Sequence, residues 1–180
     1  MKGKEKQKSS HWVIQVFVLA VTLSAALSLI SSTALTGAGY VVAVSVLVAF
    51  IALGIVFDMI GVAVTAADPR PFHSMASHKE KGGKQAIRLL QNASRVSSVC
   101  NDVVGDICGI VSGTTAAVIV ARLQSDFNTR SILISIAVTA LISGLTIGGK
   151  AIGKRLAMNR SKEVVFRVAK ALRVLRIVRK

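Results

Sequence analysis

The chain has 180 residues, of which 52% are hydrophobic and only 17% charged, with a mean hydropathy of +0.62 and a formal net charge of +15. A water-soluble domain of this length needs a polar surface that so few charges cannot supply, so an ordinary soluble fold is excluded. Nucleic-acid binding is disfavoured as well, because no aromatic residues interleave with the basic ones.

The charges are absent from long runs. None occurs from Trp12 to Phe57 or from Ser131 to Gly149. A bilayer-crossing helix needs roughly 20 mostly apolar residues, so the first run holds two spans and the second holds one. The first span covers residues 12–34 and ends at the turn Thr36-Gly37-Ala38-Gly39. Its apolar stretch exceeds the roughly 7–15 residues of a signal-peptide core, which makes it a retained anchor. The second span covers 41–66 and stops before Asp68-Pro69-Arg70-Pro71, where two prolines oppose continued helix. Residues 72–78 read as loop, and a shorter helix follows over 79–95. Its apolar stripe is Ala86, Leu89, Leu90, Ala93 and Val96, and its other face carries Lys81, Lys84, Arg88, Gln91 and Arg95. Such a helix lies on the membrane surface or, as a plainer alternative, links two spans through solvent.

The third span occupies 96–121, taking in Asp102 and Asp106, and the fourth occupies 131–149. A last amphipathic helix over 161–178 has Val164, Val165, Val168, Ala171, Leu172, Leu175 and Val178 on one side. The expected architecture is an all-α integral membrane protein of four transmembrane helices, a juxtamembrane helix and a C-terminal belt helix. Its parts are a basic N-terminus (1–11), an N-terminal span with its turn (12–39) and the remaining transmembrane domain (40–180).

Basic residues crowd the N-terminus, the 68–95 segment and the stretch after Lys150, while only Arg122 and Arg130 lie between the third and fourth spans. Cytoplasmic loops hold the excess of Lys and Arg. This asymmetry predicts a multi-pass cell-membrane protein with both termini and residues 68–95 cytoplasmic. The partners it implies are the lipid bilayer and its anionic headgroups. Cys100 and Cys108, eight residues apart on one helix, are separated by about 12 Å, too far for a disulfide. His11, His73 and His78 fall in loops or tails, and no nucleophile–base pairing or metal-ligand spacing accompanies them, so an enzyme is not expected.

Polar groups at membrane depth carry the functional information, because each is costly there and needs a reason. At 100° per residue, Gly54, Asp58, Gly61 and Thr65 share a face of the second span; Asp102, Asp106, Gly109 and Gly113, with Gly105 beside them, share one of the third. In the fourth, Ser135, Thr139, Thr146 and Lys150 line a stripe with Ser143 at its edge. These faces are expected to turn toward one another. Small residues there can serve packing alone, and hydroxyls can bond to their own backbone. The acids need a cation, a proton or Lys150.

From about Leu47 to Val178 the chain resembles the transmembrane domain of the CorC / cyclin M (CNNM) family of magnesium and cobalt transport proteins. Gly82-Gly83-Lys84-Gln85-Ala86-Ile87-Arg88-Leu89-Leu90-Gln91-Asn92 is similar to the family's juxtamembrane helix. Gly149-Lys150-Ala151-Ile152-Gly153-Lys154-Arg155-Leu156-Ala157 is similar to its closing motif, and Val164 to Val178 to its belt helix. The resemblance implies a site where hydroxyl, amide and carboxylate groups surround Mg2+ or another divalent cation, and pairing into a homodimer.

The departures fall on that site. The acidic motif reads Asp58-Met59-Ile60-Gly61, the family's Gly-Asn pair reads Gly105-Asp106, and Lys150 stands where the family has a glutamate. Hard cations want oxygen ligands, and an ammonium offers none. The closing proline is Gly153, and the paired regulatory domains are not in these 180 residues. Two functions follow. One is a divalent-cation transporter with Asp58, Asp102 and Asp106 as the ligating set. The other is a non-transporting scaffold or accessory subunit in which Lys150 occupies the ion site.

Overall fold

The computed structural model describes the backbone of residues 2–37, 39–126, 128 and 132–178, and side chains within these from Trp12 to Val174. Ala38, Arg130, Ser131 and the side chains of His11, Leu175 and Val178 lie outside the described residues. Every element found is helical: α1 (Lys2–Leu35), α2 (Tyr40–Ala66), α3 (Arg70–Ser77), α4 (Gly83–Gln91), α5 (Ala93–Ser98), a π-helical segment (Val99–Gly105), α6 (Asp106–Asp126), α7 (Ile132–Asn159) and α8 (Ser161–Val178). Four stretches are long and apolar enough to cross a membrane: Trp12–Leu35, Tyr40–Ala66, Ala93–Asp126 and Ile132–Asn159. The chain is an all-α membrane protein.

Three local expectations are corrected. Residues 72–77 are helix instead of loop, because Pro69 caps α3 and Pro71 occupies its first turn, while His78 lies in the turn that ends it. A proline there gives up an N–H that would have no intrahelical partner anyway, so the two prolines end α2 and begin α3. The juxtamembrane helix starts at Gly83 instead of residue 79, after Gly82 at φ +109°, a conformation open to glycine. It then breaks at Asn92, and residues 93–98 belong to the third span. The basic N-terminal tail also continues α1 back to Lys2.

The chain divides into two compact units. The first comprises residues 1–54 and 103–147. There α1 packs along α6, with Phe50, Val103, Ile107, Cys108 and Val111 buried against Val16, Ala20, Leu23 and Leu27. A second cluster gathers Leu35, Ala43, Leu47, Ala116 and Ile119. A buried hydrogen bond of 3.0 Å links the hydroxyls of Ser31 and Thr115. At the end of this unit the Tyr40 hydroxyl donates to Asp126 Oδ2 at 2.6 Å, and Arg122 donates to the Leu35 carbonyl at 2.5 Å.

The second unit comprises residues 55–102 and 148–180. Here α4 packs on both α3 and α8. Phe72, Ala63, Val64, Ala86, Ala157, Val165 and Ala169 form its core, with Leu89, Leu90, Ala93, Val96 and Val164 packed against it. The apolar stripe of the 79–95 segment packs into this core, whereas of the α8 stripe Val164 and Val165 do so and Ala171 and Leu172 are exposed. Neither helix reserves its whole apolar face for lipid.

Candidate functional site

Asp58 lies on α2 two turns before its end at Ala66, and Lys150 is the first charge on α7 after nineteen uncharged residues. Each stands at the close of a charge-free run, so the same depth in a bilayer suits both. Lys150 Nζ lies 3.3 Å from Asp58 Oδ2; the two side chains are 21% and 4% exposed. An ion pair this buried has lost most of its hydration, and each charge holds its partner in place.

Glycines let the helices come close enough for that contact. A Cβ on Gly149 would lie 2.6 Å from Ile55 Cδ1. One on Gly153 would lie 3.0 Å from both Ile55 Cγ2 and Met59 Cγ. With the fully buried Ala157 they form a small-residue row at four-residue spacing, directly beside Lys150. Gly61, one turn along α2 from Asp58, has no room for a Cβ because the Asn101 carboxamide covers it, with Asn101 Cγ 2.7 Å away. Asn101 Nδ2 donates to Ser97 Oγ at 3.2 Å, while its Oδ1 is buried and has no hydrogen-bond partner among the described residues. A buried acceptor left unpaired calls for a donor or a cation. The π-helical segment Val99–Gly105 includes Asn101, and π turns often mark functional positions.

The other expected ligands are elsewhere. Asp102 and Asp106 are exposed, and no group of three His, Cys, Asp or Glu able to hold a metal forms among the described residues. The expected ligating set of Asp58, Asp102 and Asp106 is therefore not assembled, and the polar face of the third span does not turn inward. The reason is competition along α6. Cys108, Val111, Ser112, Thr115 and Ile119 are buried, and Cys108 sits 200° around the helix from Asp106. Burying the apolar row puts the carboxylate row outside.

The small residues divide in the same way. Gly54, Gly61 and Gly105 are buried, whereas Gly109 is half-buried and Gly113 exposed. A Cβ on either of the last two would meet nothing within 4 Å. Ser143 is exposed, and Thr146 donates to the Ile142 carbonyl at 2.8 Å, satisfying itself one turn back. Asn101, Gly149 and Gly153 were missed as site-forming residues. Their signals were an amide at membrane depth and a small residue every fourth position.

Among families of known proteins, the one described as the cyclin M transmembrane N-terminal domain matches residues 16–180. The match begins within α1, so it takes in most of the helix that the sequence reading set apart from the shared region. No curated protein and no solved structure matches the chain.

Proposed function

This chain belongs to the cyclin M transmembrane domain family, and from that premise we propose that it is a multi-pass membrane protein, termini cytoplasmic, in which Lys150 replaces the family's divalent cation. In this reading the protein serves as a non-transporting scaffold or accessory subunit. The observation that carries it is the 3.3 Å contact between the Lys150 ammonium and the buried Asp58 carboxylate. A divalent ion reaching Asp58 would have to displace a tethered cation that is always at hand. It would also meet repulsion from Lys150, whose ammonium offers no oxygen ligand where the family has a carboxylate.

A second reading, divalent-cation transport, draws on the buried and unpaired Asn101 Oδ1. Lys150 keeps 21% of its side-chain surface exposed, and its long stem could carry the ammonium toward the headgroups. Asp58 and Asn101 would then face the cation as substrate. Either reading accommodates a homodimer, since the exposed Asp102 and Asp106 at membrane depth call for cover by protein or water.

Thermal unfolding of the purified protein in detergent, scanned over Mg2+, Mn2+ and Co2+, separates the two. If Lys150 fills the site, the parent shows no ion-dependent shift and Lys150→Glu gains one. A shift in the parent that Asp58→Asn removes would instead establish the transport reading.

A further inference from the structure

Residues 55–102 and 148–180 carry 17 of the 23 basic residues and five of the eight acidic ones. Seventeen minus five leaves this unit with +12 of the +15 net charge. Burial of Ala86, Val165 and Ala169 between α4 and α8 directs the polar faces of both helices outward. Lys84, Arg88, Lys162, Arg167 and Lys170 are all exposed and form no ion pair among the described residues. The acids do little to offset them. Asp58 is committed to Lys150, and Glu163 lies 3.9 Å from Arg160.

We infer that this surface binds anionic phospholipid headgroups of the leaflet that α4 and α8 adjoin. Position favours lipid over a soluble acidic partner. Helix α4 ends at Gln91, two residues before the third span begins at Ala93, and α8 begins two residues after α7 ends. Both connections are too short to carry the basic helices far from the headgroups. Basic clusters immediately beside membrane spans concentrate anionic lipid within about a Debye length. The same unit also holds a small groove of about 240 Å3, lined by Val64, Ala67, Ile87 and Leu90 with His73 and Gln91 polar among them. That is below the roughly 300–1,000 Å3 of pockets for drug-sized ligands. An apolar recess with a polar margin fits a segment of one acyl chain next to its headgroup.

The test uses the full chain purified in neutral detergent, titrated with dioleoyl phosphatidylglycerol or dioleoyl phosphatidylcholine. Retained lipid is counted by native mass spectrometry, and the unfolding temperature is followed in parallel. Phosphatidylglycerol should be retained and should raise the unfolding temperature, with phosphatidylcholine at least about tenfold weaker, given the strength of headgroup attraction per basic residue. The preference should fade toward 1 M salt, where the screening length falls to about 3 Å. Combined Lys84→Glu, Arg88→Glu, Arg167→Glu and Lys170→Glu should abolish the preference. The four-fold glutamine variant, gentler on folding, should reduce it. Reversal of Lys2, Lys4, Lys6 and Lys8 should leave it intact. Equal retention of the two lipids, or a preference surviving the α4/α8 reversal, would overturn the inference. So would an equal shift from free glycerol phosphate, or tighter binding of a poly-glutamate peptide than of phosphatidylglycerol.

Discussion

Replacing Lys150 by alanine should strand the Asp58 carboxylate, whose side chain is only 4% exposed. Removing one member of a buried ion pair costs about 3–5 kcal/mol. Lys150 is 21% exposed, so water can partly reach the vacated position and the low end, about 3 kcal/mol, applies. On the scale of about 2–4 °C per kcal/mol for chains of 150–250 residues, that is a fall of roughly 6–12 °C in unfolding temperature. The decisive form is a double-mutant cycle in detergent with Lys150→Met, which keeps the apolar stem, and Asp58→Asn, which keeps the shape. Lys150→Met leaves the buried Asp58 carboxylate without its ammonium, whereas the double change removes that carboxylate as well, so the double variant should be more stable than Lys150→Met alone. A coupling energy above about 1 kcal/mol is expected for such a contact. Simple additivity, or a Lys150→Met variant within about 0.5 kcal/mol of the parent, would refute the pairing as the basis of the site.

Three further outcomes are expected. Gly153→Leu should lower the unfolding temperature by several degrees, since even a Cβ there meets Ile55 and Met59 at 3.0 Å. Gly109→Leu, facing open space, should be silent for the monomer; equal effects in monomeric samples would contradict this packing. Thr115→Val removes the buried bond to Ser31 and should cost about 0.6 kcal/mol, the average for hydrogen bonds between membrane helices, read by equilibrium unfolding in mixed micelles. For topology, an impermeant thiol reagent applied to intact cells should label a cysteine placed at Ser125 and spare one at Ser77; the reverse pattern would invert the orientation.

The spans were legible because hydrocarbon imposes one simple requirement, uninterrupted apolar length, and Trp12–Phe57 and Ser131–Gly149 satisfy it openly. The family was legible from the order of its amphipathic pieces. The phase of the third span was not. Counting at 100° per residue assumes unbroken α geometry, and Val99–Gly105 departs from it. Which face is buried also depended on packing against other helices, where the row Cys108, Val111, Thr115 and Ile119 prevailed over the carboxylates. Pro69 and Pro71 were read as stops, although the same chemistry that ends one helix suits the start of the next. The Asp58–Lys150 contact was one of three partners open to the acid, and only the close approach at Gly149 and Gly153 selects it.

The π-helical segment has a consequence for how this protein could vary. A π bulge amounts to one residue more than an α-helix needs over the same rise. Deleting a single residue between 99 and 105 could therefore shorten the loop of surplus backbone without shortening the span. The cost would be local, since the bulge absorbs the surplus residue and its removal shifts positions inside 99–105 while the helix on either side keeps its phase. Asn101 would then leave Gly61 while the residues beyond 105 kept their own packing. Insertions and deletions, usually ruinous inside a membrane helix, thus become a means of re-aiming one amide here, and length polymorphism at this place would be a change of chemistry.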